Sequence, residues 1–187
     1  MKNASWLCEY ARGQLGKPYW YGAFGQVASA GLLAEKRKQY PKYYDQSQYR
    51  LRFDAQFGQK VHDCSGLIKG ALWCDTIDAA PKYNAAQDKG ANGMIDACTE
   101  KGTINTIQNI PGLVVWKNNH IGIYIGNGDV IEARGHDYGV IKTKLEDNAW
   151  LKWGKLPWIE YTTSTKITAD QALAAIKKVV NEYYEQK

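Results

Sequence analysis

Four cysteines, Cys8, Cys64, Cys74 and Cys98, and three histidines, His62, His120 and His136, are the side chains of this sequence best suited to nucleophilic or metal chemistry. Only Cys64 stands where a thiol would be activated. In "KVHDCSGLIKGALW", residues 60–73, Leu67, Ile68, Ala71 and Leu72 recur at helical spacing, and Asp63 occupies the N-cap position. Cys64 then falls in the first turn, where the partial positive charge of the helix end favours a thiolate. Gly66 leaves room for a substrate backbone, and the free N–H groups of the turn suit an oxyanion. The cysteines lie 56, 10 and 24 residues apart, with no C-x-x-C pair or histidine cluster, so no zinc site is expected. Cys8, Cys74 and Cys98 read as packing thiols within helical patterns.

A cysteine nucleophile needs a base, and "NNHIGIYIGNGDVIEARG" offers His120 at the mouth of an otherwise apolar strand. The competing reading is a surface histidine at a strand end. A base in turn needs a group that fixes its tautomer, and Glu132 on the next strand is the candidate. A two-residue Asn127-Gly128 turn would pair Ile123 with Glu132 and place the carboxylate on the face opposite His120. A three-residue loop over 126–128 would pair Gly122 with Glu132 and make His120 and Glu132 diagonal neighbours on one face, about 7–8 Å apart at the backbone. The second register is favoured, because it also gathers Ile121, Ile123 and Ile131 on the other face. His62 is expected at the lip of the Cys64 helix without a direct role, and His136 in a glycine-flanked loop.

The elements that must hold these groups follow from periodicity. Trp6, Leu7, Tyr10, Ala11 and Leu15 form one helical face that Gly16 and Pro18 terminate. "KPYWYGAFG" predicts a loop or short extended piece suited to a cleft wall. Residues 26–58 predict two short helices interrupted at "YPKYY", with Lys36, Arg37 and Lys38 on a solvated face. A weaker helix is expected over 84–99, broken by Gly90 and Gly93. After Pro111, β-branched and aromatic residues alternate between glycine-rich turns, which predicts antiparallel strands. Trp116, Trp150, Trp153 and Trp158 read as core. Helices first and an antiparallel sheet second define an α+β domain over 1–161, with 26–58 as a helical insertion and 162–187 as a linker and C-terminal helix.

The chain has 187 residues and a formal charge of +5, from 24 Lys and Arg against 19 Asp and Glu, which suits an anionic partner. The basic residues are scattered, and no nucleic-acid motif, phosphate loop or G-x-S-x-G elbow is present. No stretch reaches the roughly 18 apolar residues of a membrane span, and the first residues lack the apolar core of a signal peptide. A soluble monomer without cofactor is expected. If it works outside a cell, it is released by lysis, exported by another route, or has lost a leader.

"GKPYWYG", "DCSGLI", and "HIGIYIGNG" followed by "VIEA", in that order, resemble the NlpC family of bacterial and phage cell-wall cysteine peptidases. The resemblance covers roughly residues 5–160 and implies a papain-like fold, with the nucleophile at a helix N-terminus packed on the sheet. It also implies Cys64 as nucleophile, His120 as base and Glu132 as orienting residue, where His, Asn or Gln is more usual in the family. Tyr19 would line the substrate cleft and Asp63 would hold the amino end of the peptide, with Trp20 and Ser65 as further substrate contacts. The implied reaction is hydrolysis of a peptidoglycan stem peptide in an anionic cell wall, most often at the γ-D-glutamyl–diamino acid bond. The alternatives are an N-acetylmuramoyl-L-alanine amidase with the same triad and a non-catalytic wall-binding module.

Overall fold

The computed structural model describes residues 1–45 and 47–161, together with Leu173 and Lys177. The linker and helix expected over 162–187 therefore fall outside the described residues, apart from those two. In chain order the elements are β1 (Lys2–Asn3), α1 (Ala4–Gly13), β2 (Phe24–Val27), α2 (Ala30–Gln39), α3 (Pro41–Tyr44), α4 (Ser47–Ala55), β3 (Lys60–His62) and α5 (Cys64–Trp73). After α6 (Ala91–Ala97) come β4 (Glu100–Thr103), β5 (Val114–Lys117), β6 (His120–Gly126), β7 (Asp129–Ala133), β8 (Val140–Lys144), β9 (Lys152–Lys155) and β10 (Ile159–Glu160).

The Asn3 side chain caps α1 by accepting the Trp6 N–H, and Leu7, Cys8, Tyr10 and Ala11 form its buried face. The helix ends at Gly13, two residues earlier than the apolar pattern suggests, and Leu15 is exposed. The six-stranded sheet has the order β4-β9-β5-β6-β7-β8 and is antiparallel throughout. Helices α1 and α5 cover one face, where Leu7, Leu67, Ile68, Ile121, Ile123 and Ile131 form the main core. Burial of each such aliphatic side chain contributes about 1.5–3 kcal/mol. The other face holds Leu113, Val115, Tyr124, Val130, Trp150 and Trp153. This is the α+β, papain-like arrangement expected from the sequence.

Two glycines on α5 decide how closely its neighbours approach. A Cβ at Gly70 would lie 2.4 Å from the Tyr10 hydroxyl, and one at Gly66 would lie 1.8 Å from the Ala23 carbonyl oxygen. The space at Gly66 is thus filled by the chain's own loop and not by a substrate backbone.

Residues 26–58 depart most from expectation. They form three helices, because Pro41 starts a turn of its own in "YPKYY", where its fixed φ suits the first helical position. Trp20 is fully buried against Tyr44 and Phe53, with ring centroids 6.0 and 5.3 Å away, at the centre of a second core that includes Leu33 and Val61. Its indole N–H donates to Gln56 Oε1 at 2.6 Å. Trp20 is therefore an anchor of this core and not a cleft-wall contact. The region 84–99 splits at Gly90 into a 3-10 turn over Ala85–Gln87 and α6.

Candidate active site

Asp63 caps α5: one carboxylate oxygen accepts the Gly66 N–H at 2.5 Å and the Ser65 hydroxyl at 3.0 Å. The other accepts the Gly22 N–H at 2.8 Å and ties the aromatic loop to the helix end. Cys64 is the first residue of α5, unpaired and half-buried. Burial pushes its thiol up to about 12, and the charge of Asp63 adds to this; the backbone N–H groups of Ile121, Ser65 and Cys64 pull the other way and do not prevail. The helix end alone therefore does not offset the burial of the Cys64 thiol.

The hairpin that carries His120 and Glu132 resolves the register question in an unexpected way. The turn is the two-residue Asn127-Gly128, with φ of 54° and 74°, closed by Gly126 and Asp129. A bulge then falls between Tyr124 and Gly126, and from there inward Ile123 pairs with Ile131 and Tyr124 with Val130. The favoured register holds, but through a short turn plus a bulge in place of a longer loop. His120 and Glu132 share a face, with Nε2 2.6 Å from Oε2. The opposite oxygen, Oε1, accepts from Thr143 Oγ1 at 2.8 Å and Asn148 Nδ2 at 2.7 Å.

Glu132 is fully buried. Burial raises its proton affinity, but the hydrogen bonds from His120 and Thr143 and the nearby charges of His120 and Arg134 outweigh this, so its pKa lies below the usual carboxylate value. An ionised carboxylate only accepts, so His120 Nε2 is the donor in this hydrogen bond. The imidazole also stacks on Trp150, with centroids 5.5 Å apart and planes within 14°. At the start of β6, Asn92 of α6 accepts from the Asn119 and Trp116 N–H groups and donates to Asn119 Oδ1 at 2.8 Å. This amide clamp holds Asn119 at a φ of 60° and sets where His120 begins.

Cys64, His120, Asp63, Ser65 and Tyr19 line one cleft of about 960 Å³. Its far wall comes from the insertion, through Glu35, Lys36, Gln39, Tyr40 and Tyr43. Tyr21 stacks on Tyr43 with centroids 3.7 Å apart. Two histidines lie outside the cleft. His62 is fully buried in the core, not at the helix lip, with Nε2 3.0 Å from the Tyr10 hydroxyl; burial, with help from Lys60 and Lys17, depresses its pKa to about 3. His136 stacks on Tyr49 and packs edge-on to Tyr19 and Phe53, which fastens the β7–β8 loop to the insertion. Cys8, Cys74 and Cys98 are buried, as expected of packing thiols.

Thr143, Asn148 and Asn92 were not among the residues the sequence singled out, and Trp150 was read only as core. Thr143 alone had a signal, since β-alternation puts it on the same face as Ile141, the partner of Glu132. That signal required the register across the six-residue connection 134–139, which no turn motif fixes. Among the described residues no group of three or more His, Cys, Asp or Glu side chains is placed to hold a metal ion. Nor is any helix there long and apolar enough to cross a membrane.

A cysteine on a helix end and a carboxylate-held histidine on an antiparallel sheet line one cleft, an arrangement of the papain-like class of folds. Within that class the chain belongs to the NlpC/P60 family, whose model matches residues 46–157. Among solved structures it is similar to the peptidoglycan hydrolase RipB of Mycobacterium tuberculosis, with 20% identity and a TM-score of 0.50 over 84% of this chain and 65% of that one. The P60 domain of an antigen from M. avium subspecies paratuberculosis matches with 16% identity and a TM-score of 0.50, over 84% of this chain and 96% of that one. NlpC2 of Trichomonas vaginalis matches at 15% identity and a TM-score of 0.50, over 86% of this chain and 48% of that one. The chain thus spans less than two thirds of RipB and about half of NlpC2. No curated protein gives a significant match.

Proposed function

We propose that this chain is a cysteine peptidase that hydrolyses peptidoglycan stem peptides, at the γ-D-glutamyl–diamino acid bond, through Cys64, His120 and Glu132 in a domain spanning 1–161. The observation that carries the reading is the state of His120: its Nε2–H is held by a buried carboxylate whose remaining oxygen is fully engaged, in the same cleft as a helix-borne cysteine.

Cys64 Sγ attacks the scissile carbonyl while His120 Nδ1 takes the thiol proton. The negative charge passes to the carbonyl oxygen, which the N–H groups of the α5 first turn are placed to receive. Glu132 stabilises the imidazolium that forms and keeps the ring from rotating. His120 then protonates the leaving amine, and water, deprotonated by the same nitrogen, releases the acyl-enzyme. Because the resting cysteine is a thiol, proton transfer and attack are coupled. Family membership supports the cell wall as the site of action, and the net charge of +5 agrees with an anionic wall.

Mass spectrometry of sacculi and purified stem peptides after incubation with the wild type and Cys64→Ala tests the proposal. Fragments ending in γ-D-glutamate from the wild type alone are the expected outcome. Release of intact stem peptides from the glycan would assign the amide bond to muramic acid instead, and intact substrate in both samples would leave a wall-binding module.

A further inference from the structure

Lys36 was expected on a solvated helix face. It is instead only 3% exposed, although it lines the cleft. Its ammonium donates to Gln39 Oε1 at 3.1 Å and to Glu35 Oε1 at 3.4 Å, and lies 5.7 and 5.8 Å from the ring centres of Phe24 and Tyr40. An ammonium has three donors, and these two are its hydrogen bonds among the described residues. The Glu35 side chain is 64% exposed, so it offers a long, solvent-screened pairing to a charge that burial makes costly. Asp88, the other carboxylate of this wall whose charge feels Lys36, is taken up by Lys69 and Tyr83; a buried ammonium with one long ion pair, flanked by two rings, is poised for a stronger anion.

Position says which part of a substrate would bring that anion. The Tyr40 ring lies against Gly22, where a Cβ would come within 2.3 Å of it, and the Gly22 N–H is held by Asp63. Lys36 therefore stands on the wall that adjoins Asp63, whereas His120 and Asn119 come from the sheet. A base that protonates the leaving amine must have the amine side of the peptide beside it, so the acyl side runs toward the opposite wall. In a γ-linked D-glutamate the free α-carboxylate hangs on that acyl side, one side-chain length from the scissile carbonyl.

We propose that Lys36, supplied by the insertion, forms a carboxylate-binding subsite that takes the α-carboxylate of the γ-linked D-glutamate. This rests on the peptidase reading for its substrate, and binding separates the two. The experiment is calorimetric titration of Cys64→Ala, with and without Lys36→Met, using L-Ala-γ-D-Glu-L-Lys and its analogue in which the α-carboxylate is an amide. With Lys36 present the carboxylate peptide should bind about tenfold more tightly than the amide, the effect of one charge-assisted hydrogen bond. Lys36→Met should erase that difference and leave the amide peptide unchanged, while Lys36→Arg should restore part of it.

Equal affinity for the two peptides, equal loss of both in Lys36→Met, or binding of neither would overturn the proposal. The two-peptide comparison needs no substitution at position 36, so a poorly folded variant does not remove the test. Carboxylate-selective binding without any cleavage by the protein carrying Cys64 would leave the subsite standing and sink the peptidase reading.

Discussion

Asp63 and Glu132 are both buried carboxylates that accept three hydrogen bonds each, yet their donors differ in kind. Asp63 is held by two backbone N–H groups and one hydroxyl from its own helix turn and the loop packed on it. Glu132 is held only by side chains, those of His120, Thr143 and Asn148. Backbone donors cannot leave without unfolding the turn, so Asp63 is tied to stability. Side-chain donors can be changed one at a time with the sheet intact, so Glu132 is tied to the orientation of the imidazole. Asp63 also acts on the neighbouring thiol, since its charge adds to the burial that raises the proton affinity of Cys64.

The largest effect that would break this contrast is expected from Glu132→Gln. It should cut kcat on stem peptides by about 10²-fold, because an amide oxygen turned to His120 still accepts its N–H but carries no charge to stabilise the cation, and leaves an NH2 group against the Asn148 donor. The thermal unfolding midpoint should change little, and a large drop there would place Glu132 on the stability side with Asp63. Thr143→Val comes next, with kcat falling about tenfold through loss of one charge-assisted hydrogen bond. Unchanged kinetics would mean that Asn148 alone suffices.

Asp63→Asn should lower stability by about 1–2 kcal/mol in denaturant titration, since the amide must turn N–H groups toward a backbone donor. It should also speed alkylation of Cys64 by iodoacetamide at fixed pH. Slower alkylation would contradict the assigned influence of Asp63 on the thiol. At neutral pH the smallest effect concerns the core beside the site. His62 has a folded pKa of about 3 against an ordinary 6.5. Below pH 6.5 the unfolded chain takes up a proton that the folded one refuses, so stability is full above 6.5 and is lost as pH falls toward 3. His62→Gln should flatten that acid limb by up to about 1.4 kcal/mol per pH unit; identical limbs would show that His62 is not the group responsible.

Much of the scaffold was legible because the groups concerned are ordered by local rules. The Asp63 cap, the α5 stripe and the alternation in β6 and β7 each follow from neighbouring residues. The insertion was not legible. Its helices have almost no apolar periodicity, and its core forms from Trp20, Tyr44 and Phe53, which are far apart in the chain. That long-range packing drew Trp20 inward and left Lys36 facing the cleft. The partners of Glu132 were hidden for the same reason, since Thr143, Asn148 and Trp150 arrive through a connection whose length and register no turn motif sets.

The bulge in the β6–β7 hairpin turns the distance between His120 and Glu132 into a question of parity. Eleven residues separate them, and with one residue left out of the pairing the remainder brings both side chains to the same side of the sheet. Pairing that ran on from the turn without the bulge would set Glu132 opposite Ile123, sending it into the hydrophobic core face and an apolar neighbour toward the imidazole. Deleting Ile125, the residue left out of the pairing, would instead keep the match. The hairpin is thus a coding element read in odd and even numbers, more sensitive to the length of its sequence than to the identity of most residues in it.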